Sequence, residues 1–326
     1  MNTTISQRLP QKKLLLALLA GMAALPLIVP STYYLNILVF AGINVLLALG
    51  LNLVMGYTGQ VSLGHAAFYG FGAYASGVLT AKYGVNPWLA MGIAVVLTGL
   101  LSLFIGLVAL RLQGYFLSMA TLGFGIILHI LFVELPGVTG GPSGLTGIPG
   151  ITVAGVRIGS ALGYYYLVWT AVGLALLCAI HLVDSRTGRA LRAIQGDETA
   201  AALSGINTLA AKVQIFVVAG CLASIAGSLY AHYVSVLTPE SFGFTLSIEL
   251  IVMVIIGGIA SIWGSLVGAL LLTLLPEYLR VFHDYDILIY GLIVILVVMF
   301  VPRGIAGDIE FRVLRSRLRR MRGVGK

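Results

Sequence analysis

The stretch from Gly56 to Tyr74, GYTGQVSLGHAAFYGFGAY, sets five glycines and a short polar run inside an otherwise hydrophobic pattern. Glycine is unfavourable within a helix, so such clustering predicts a broken helix or an unusually close approach of backbones. Lipid offers freed peptide groups no partners, and irregular backbone at membrane depth survives only when buried in protein or lining a cavity. The stretch is therefore an expected translocation path, with Gly56, Gly59, Gln60, Ser62, Gly64, His65, Phe68 and Tyr69 as its residues. Gln60 and Ser62 can offer hydrogen bonds, while Phe68, Tyr69 and Phe71 can supply an apolar wall. His65 reads as a buried, hydrogen-bonded structural histidine rather than a proton relay, because no carboxylate occurs in the motif. His129, His181 and His232 read the same way.

The rest of the chain fixes the class. Of 326 residues, 59% are hydrophobic and only 9% charged, against roughly a quarter charged in soluble domains. A spanning helix needs about 20 apolar residues, and about ten candidate spans follow. Their centres fall at Leu14 to Val29, Leu35 to Met55, Val61 to Thr80, Trp88 to Leu110, Phe116 to Phe132, Tyr164 to Leu182, Val213 to Val234, Ile248 to Ile262, Leu266 to Leu279 and Ile287 to Val301. The expected fold is all-α: one polytopic transmembrane domain over residues 1–326, some of its helices broken by glycines. Arg8, Lys12 and Lys13 precede the first span, which reads as a retained helix rather than a cleaved signal. Lys and Arg are kept preferentially on the cytoplasmic side. With both termini inside, sixteen of the nineteen basic residues fall there, and only Lys82, Arg157 and Arg280 fall outside.

The net charge of +8 is placed for lipid rather than nucleic acid. The tail over residues 304–326 interleaves Ile309, Val313 and Leu314 with six arginines from Arg312 to Arg322, as in a helix lying on an anionic leaflet. Cys178 and Cys221 make neither a disulfide framework nor a metal site at that spacing and read as buried structural thiols. Two loops are long enough to carry a task. The outer one, after Glu134, packs six glycines into Gly137 to Gly150; it reads either as a plain connector or as a compact cap, a docking surface for a soluble partner. The inner one, residues 184–212, contains a short helix that Asp197 can cap, Glu198 can favour at its positive end, and Gly205 can stop. Its small face, Ala200, Ala201, Ala202 and Leu203, could seat in a groove on another protein, with Arg189, Arg192 and Asp197 at the edges.

These segments together resemble a known family, the permeases of ATP-binding-cassette importers for branched-chain amino acids, in particular the LivM-type subunit. The resemblance rests on GYTGQVSLGHAAFYGFGAY from Gly56, GGPSGLTGIPG from Gly140, and RAIQGDETAAALSGIN from Arg192 to Asn207 followed by Lys212. It implies a transport subunit of the bacterial inner membrane. Its implied partners are a second homologous permease, two cytoplasmic ATPases and an extracytoplasmic binding protein. It further implies alternating access, no cofactor held by this chain, and ATP and Mg on the partner ATPases. In the family's terms the helix from Asp197 to Gly205 is the coupling helix, with Arg192, Asp197, Glu198, Ala200, Ala201 and Gly205 as coupling residues. Many importer permeases carry Glu-Ala-Ala there, whereas this chain has Thr199-Ala200-Ala201 with Glu198 one position early.

The chain has no phosphate-cradling loop of its own: the closing Gly323 to Lys326 lacks a following hydroxyl residue. Within the family's architecture, urea, short amides and other amino acids are alternative substrates. A self-sufficient secondary transporter or channel would need ionisable groups inside the bundle, yet most acids here fall at span ends or in loops. An enzyme would need a His, Asp or Cys grouping that the sequence lacks. A second glycine-bearing break, Ile255 to Gly268, faintly echoes the first, as in transporters built from two similar halves; close helix packing through small residues reads it equally well.

Overall fold

The computed structural model describes residues 31–153, 156–279, 286–300 and 304–305, together with Gly21, Leu25 and Pro26. The first candidate span falls almost wholly outside these residues, as do Arg280, Arg303 and the basic tail beyond residue 305. The described chain runs α1 (Thr32–Thr58), α2 (His65–Ala81), α3 (Pro87–Ala109), α4 (Tyr115–Glu134), α5 (Pro136–Thr139), β1 (Leu145–Thr146), β2 (Thr152–Val153), β3 (Val156–Arg157) and α6 (Ala161–Asp184). It continues with α7 (Arg186–Gly196), α8 (Glu198–Leu203), α9 (Thr208–Val234), β4 (Val236–Leu237), α10 (Phe244–Gly257), α11 (Ile262–Leu279) and α12 (Asp286–Phe300). Among the described residues, seven helical stretches are long and apolar enough to cross a membrane; α2, of 17 residues, and α12, of 15, are shorter.

The bundle is assembled through small residues around α9. On α3 the buried positions are Ala90, Ala94, Thr98, Ser102 and Gly106, one every four residues, while Val96, Leu100, Phe104 and Val108 point outward. Lipid tails are as apolar as leucine, so burial gives helices no reason to associate; close contact through small side chains does. Thr98 donates to Ser224 Oγ (3.0 Å), and Ser102 and Phe216 pack against Gly220 and Gly106. The paired numbers rise on one helix as they fall on the other, so α3 and α9 are antiparallel. On its other side α9 lies parallel to α2: Phe68 meets Phe216, Gly72 meets Ser224 and Ser76 meets His232, the numbers rising together.

The Gly56–Tyr74 stretch breaks as its glycines predict, but later than its first glycine. Helix α1 continues through Thr58, Gly59 takes a left-handed conformation (φ 70°), and α2 begins only at His65. His65 sits beside Gly50, so the connector climbs about two turns, roughly 12 Å, back along α1 before α2 starts. The second break lies at residues 258–261, between α10 and α11. There Asn52 of α1, 1% exposed, shares its amide N–H groups among the carbonyls of Gly258 (3.3 Å) and Ser261 (2.8 Å) and Ser265 Oγ (2.8 Å). Its oxygen accepts the Ala260 N–H (2.9 Å). Gly56 is required by this closeness, since a methyl group there would come within 2.4 Å of the Ala260 nitrogen. Small-residue packing of α10 on α11 accompanies the break, Gly257 lying against Gly264 and Gly268.

At one end of the bundle, residues 135–153 and 156–160 form a compact cap, the second of the two readings of that loop. It adds two ribbons to an otherwise helical chain: β1 pairs antiparallel with β4 (Leu145 opposite Leu237), and β2 with β3. Leu145, Ile148 and Leu237 seat the cap against α2 at Gly77. His232 of α9 fastens it, bonding the Pro149 carbonyl through Nδ1 (2.7 Å) and Ser76 Oγ through Nε2 (2.9 Å). The structural reading of His232 therefore holds. Cys178 departs from expectation: it is exposed on α6, whose buried face carries Tyr165, Trp169 and Leu176 instead, and Cys221 is half-buried.

Asn52 makes a testable claim about what holds the second break. Replacing it by Leu strands the Ala260 N–H and two carbonyls, each a loss of about 1–3 kcal/mol for a buried polar group. The thermal midpoint of purified protein should fall by about 2–4 °C per kcal/mol. Asn44→Leu, which removes only a half-buried bond to Thr273 (2.9 Å), should shift it less; equal shifts would contradict the assignment.

Candidate functional site

Two features have the construction of working parts: a cleft beside the first break and the segment at the opposite end from the cap. The cleft, of about 230 Å³, has three walls. Leu63, Ala66 and Ala67 come from the break and the first turn of α2; Leu122, Gly125, Ile126 and His129 come from α4; Phe242, Phe244 and Ser247 come from the start of α10. The walls are stitched together by hydroxyls. Ser118 Oγ donates to the Val61 carbonyl (3.1 Å), Thr121 Oγ1 accepts the Leu63 N–H (3.0 Å), and Ser247 Oγ accepts the Ala66 N–H (3.2 Å). Gly64 lies directly on the Thr121 carbonyl, a contact that leaves no room for a side chain.

The expected path residues flank this cleft or lie in the interior, and the residues that line it are their neighbours. Gln60, Ser62 and His65 are buried, and Gln60 Oε1, Ser62 Oγ and His65 Nε2 have no protein partner. The His65 ring instead meets the Leu47 backbone and Gly50. Phe68 and Tyr69 lie in the aromatic core, Phe68 against Phe124 and Phe216 and Tyr69 against Tyr230 and Phe242. Gly56 faces the second break, and Gly59 and Gly64 bound the connector. The apolar wall of the cleft is thus supplied by Leu63, Ala66 and Ala67, with Phe242 and Phe244 opposite, and not by Phe68 and Tyr69. Sequence reading placed a span at Phe116 to Phe132 but not its position beside the broken segment; the signal was its hydroxyls at Ser118 and Thr121 and glycines at Gly123 and Gly125.

At the other end, two helices stand where one was expected. Ser185 accepts the Gly188 N–H (3.3 Å) and opens α7; Asp197 accepts the Ala200 N–H (3.0 Å) and opens α8. Gly205, left-handed at φ 83°, closes α8, with Ile206 N–H returning to the Ala201 carbonyl (3.2 Å), the usual way of satisfying terminal carbonyls. Ala201 faces inward, while Ala200 and Ala202 are exposed and Leu203 projects at 86% exposure. Arg192 does not flank α8. Together with Arg189 it donates to the last carbonyls of α6 (Val183, 3.2 Å; Asp184, 3.3 Å), where cations complement the helix dipole. It also lines a polar cleft of about 240 Å³ with Asp184, Gln195 and the Ala260–Trp263 turn.

Glu198 has a definite place. Its Oε1 accepts from Lys212 Nζ (2.5 Å), a lysine only 2% exposed at the base of α9, and its Oε2 accepts from Gln113 in the α3–α4 loop (3.4 Å). One carboxylate therefore ties α8 to α9 and to the chain entering α4. Among the described residues no three His, Cys, Asp or Glu side chains come together in a way that could hold a metal ion.

A family model described as the branched-chain amino acid transport system permease component matches residues 33–301. The chain is 31% identical to the high-affinity branched-chain amino acid transport system permease protein LivM of Escherichia coli, over 90% of its own length and 75% of that protein. It is 28% identical to the ribose import permease protein RbsC of Escherichia coli (72% and 73% covered) and 27% identical to the branched-chain permease protein LivH of Salmonella typhimurium (60% and 68%). No solved structure matches it. With its apolar helices, the chain is an integral membrane protein of transport-permease type.

The Glu198 geometry predicts a pattern of instability. Glu198→Gln leaves a buried ammonium without its counter-charge and should cost about 1–3 kcal/mol. Lys212→Met in the same chain should restore most of the loss in thermal unfolding. Additive losses in the double variant would mean that the pair does not interact.

Proposed function

Because the chain belongs to the permease components of branched-chain amino acid transport systems, we propose that it is one membrane subunit of an ATP-binding-cassette importer that carries leucine, isoleucine and valine into the cytoplasm. It works by alternating access in the bacterial inner membrane, with ten spans and both termini cytoplasmic. Its partners are a second homologous permease, two ATPases that bind ATP and Mg, and an extracytoplasmic binding protein that docks on the cap. The chain is a single permease domain with a coupling loop at residues 184–212 and a lipid-facing basic tail at 304–326, and it has no hydrolytic role itself.

The observation that carries this reading is mechanical continuity between α8 and the cleft. An ATPase groove can grip α8 by its small face and the protruding Leu203. Displacement of α8 passes through Glu198 to Lys212, and so to α9, whose far end is fastened to the cap by His232. It passes also through Gln113 to α4, which lines the cleft and holds the broken segment through Ser118 and Thr121. A bundle gated by neighbouring ATPases needs such a linkage, whereas a self-sufficient transporter has no use for an exposed leucine on a capped, six-residue helix. Between the substrates named for the relatives, the cleft favours aliphatic amino acids: a sugar would leave most of its hydroxyls unpartnered against Leu63, Ala66, Leu122 and Phe244.

Uptake of labelled leucine in cells lacking the gene tests the reading. Wild-type chain should restore it. Leu203→Arg or Gly205→Arg should abolish it by at least tenfold while the protein still reaches the membrane. Normal uptake with both variants would remove α8 from coupling; restoration of ribose or urea uptake instead of leucine would leave the architecture and change the substrate.

A further inference from the structure

Ionisable side chains inside a membrane are rare; they face a bundle interior or a water-filled cavity, and they mark solute pathways. Among the described residues, Glu249 is the only Asp, Glu, Lys or Arg more than five residues from either end of a span-length stretch, and it lies near the middle of Pro239–Gly257. At 1.5 Å of rise per residue it stands roughly 13 Å along α10 from the second break. Its side chain is exposed on the outward face of α10, whereas Ser247, Leu250 and Val254 are buried. It makes no hydrogen bond or ion pair with a described residue; Tyr290 of α12 is close enough to interact with it electrostatically. One turn nearer the cap, Thr245 is also exposed, and its hydroxyl also lacks a described partner.

Beside this polar pair runs an apolar one, Phe244 and Ile248, 49% and 40% exposed. Residues four apart are neighbours on a helix surface, about 5–6 Å between Cβ atoms. A little over one turn of α10 therefore presents a carboxylate, a hydroxyl and two hydrocarbon side chains. Lipid does not match such a face, because it leaves the carboxylate without water or a counter-charge. A second permease built on the same plan does not match it either: in the seven span-length stretches the one Lys or Arg is Lys212, at the base of α9 and already paired with Glu198. A small zwitterion with an aliphatic body matches every part.

We propose that the outward face of α10 borders the solute's route between this chain and its permease partner, with Glu249 pairing the α-ammonium group of an aliphatic amino acid. The Thr245 hydroxyl donates to the α-carboxylate, and the side chain rests on Phe244 and Ile248. Phe244 also lines the cleft beside the first break, so the two surfaces are continuous. The inference rests on the amino-acid importer reading and deepens it by assigning the contact that separates an amino acid from a neutral solute.

The test uses the complete transporter in proteoliposomes, driven by leucine-loaded binding protein, and reads leucine moved per ATP hydrolysed. Glu249→Gln keeps the shape and removes the charge. It should lower that ratio about tenfold, the equivalent of ~1.4 kcal/mol, while the two permeases still co-purify and binding-protein-stimulated ATP hydrolysis is retained. Glu249→Asp keeps the charge and should stay within about threefold of wild type. Normal transport by Glu249→Gln, or an equal loss in both variants, would overturn the proposal. So would separation of the two permeases in Glu249→Gln, since the carboxylate would then serve the partner subunit. As an independent readout, Ile248→Cys in a chain carrying Cys178→Ala and Cys221→Ala should react with a small water-soluble thiol reagent, and several-fold more slowly during turnover with leucine. No reaction, or labelling that leucine leaves unchanged, would also overturn it. A wild-type assembly that moves no branched-chain amino acid would instead refute the importer reading, in a control separate from every variant.

Discussion

Irregular backbone at membrane depth must find its hydrogen bonds within the protein, and the architecture is arranged around two places where this chain has such backbone. At residues 258–261 the partner is one side chain, Asn52, which gives and accepts bonds across the whole turn. Gly56, one turn further along α1, permits the turn to come that close. At residues 59–64 the partners are hydroxyls of α4. Once the first break is satisfied, α2 can begin partway along α1, and the space between its first turn, α4 and the first turn of α10 becomes the cleft.

The same economy of polar groups governs the long helices. Most interfaces around α9 are stripes of Gly, Ala and Ser, which allow close contact without directional bonds. Its two ends differ. Lys212 at the base is locked to Glu198, and His232 at the top is locked to Pro149 and Ser76. A helix smooth along its length and fastened at its ends behaves as a strut between the coupling segment and the cap. Helix α4 is the complementary element: little of it is buried, its own hydroxyls stitch it to the broken segment, and it borders the cleft for two turns.

Much of the segment over residues 184–212 was legible because its signals are local. An Asp before an alanine run and a Gly after it cap a helix whatever surrounds them, and Asp197 and Gly205 do so. Gly59 likewise adopts the left-handed turn that a glycine in a polar run announces. Asn52 escaped notice because a lone amide in an apolar span carries no local pattern; its partners lie more than two hundred residues away. The four-residue spacing of Ala90, Ala94, Thr98, Ser102 and Gly106 was visible in the sequence and marks the buried face of α3, the reverse of a soluble helix whose large residues face inward.

By itself the sequence determined the membrane class, the position of both breaks, the caps of the Glu198–Leu203 helix and the family, because these depend on composition, on glycine and proline chemistry, and on contiguous motifs. Tertiary structure alone decided that Phe68 and Tyr69 serve the core while Leu63, Ala66 and Ala67 face the cleft, since α9 covers one side of α2 and leaves the other open. It alone gave Glu198 its two partners, turned Arg192 to the end of α6, and set His129 along the apolar cleft. Those outcomes depend on which helices come to lie side by side, and no spacing along a single chain encodes that.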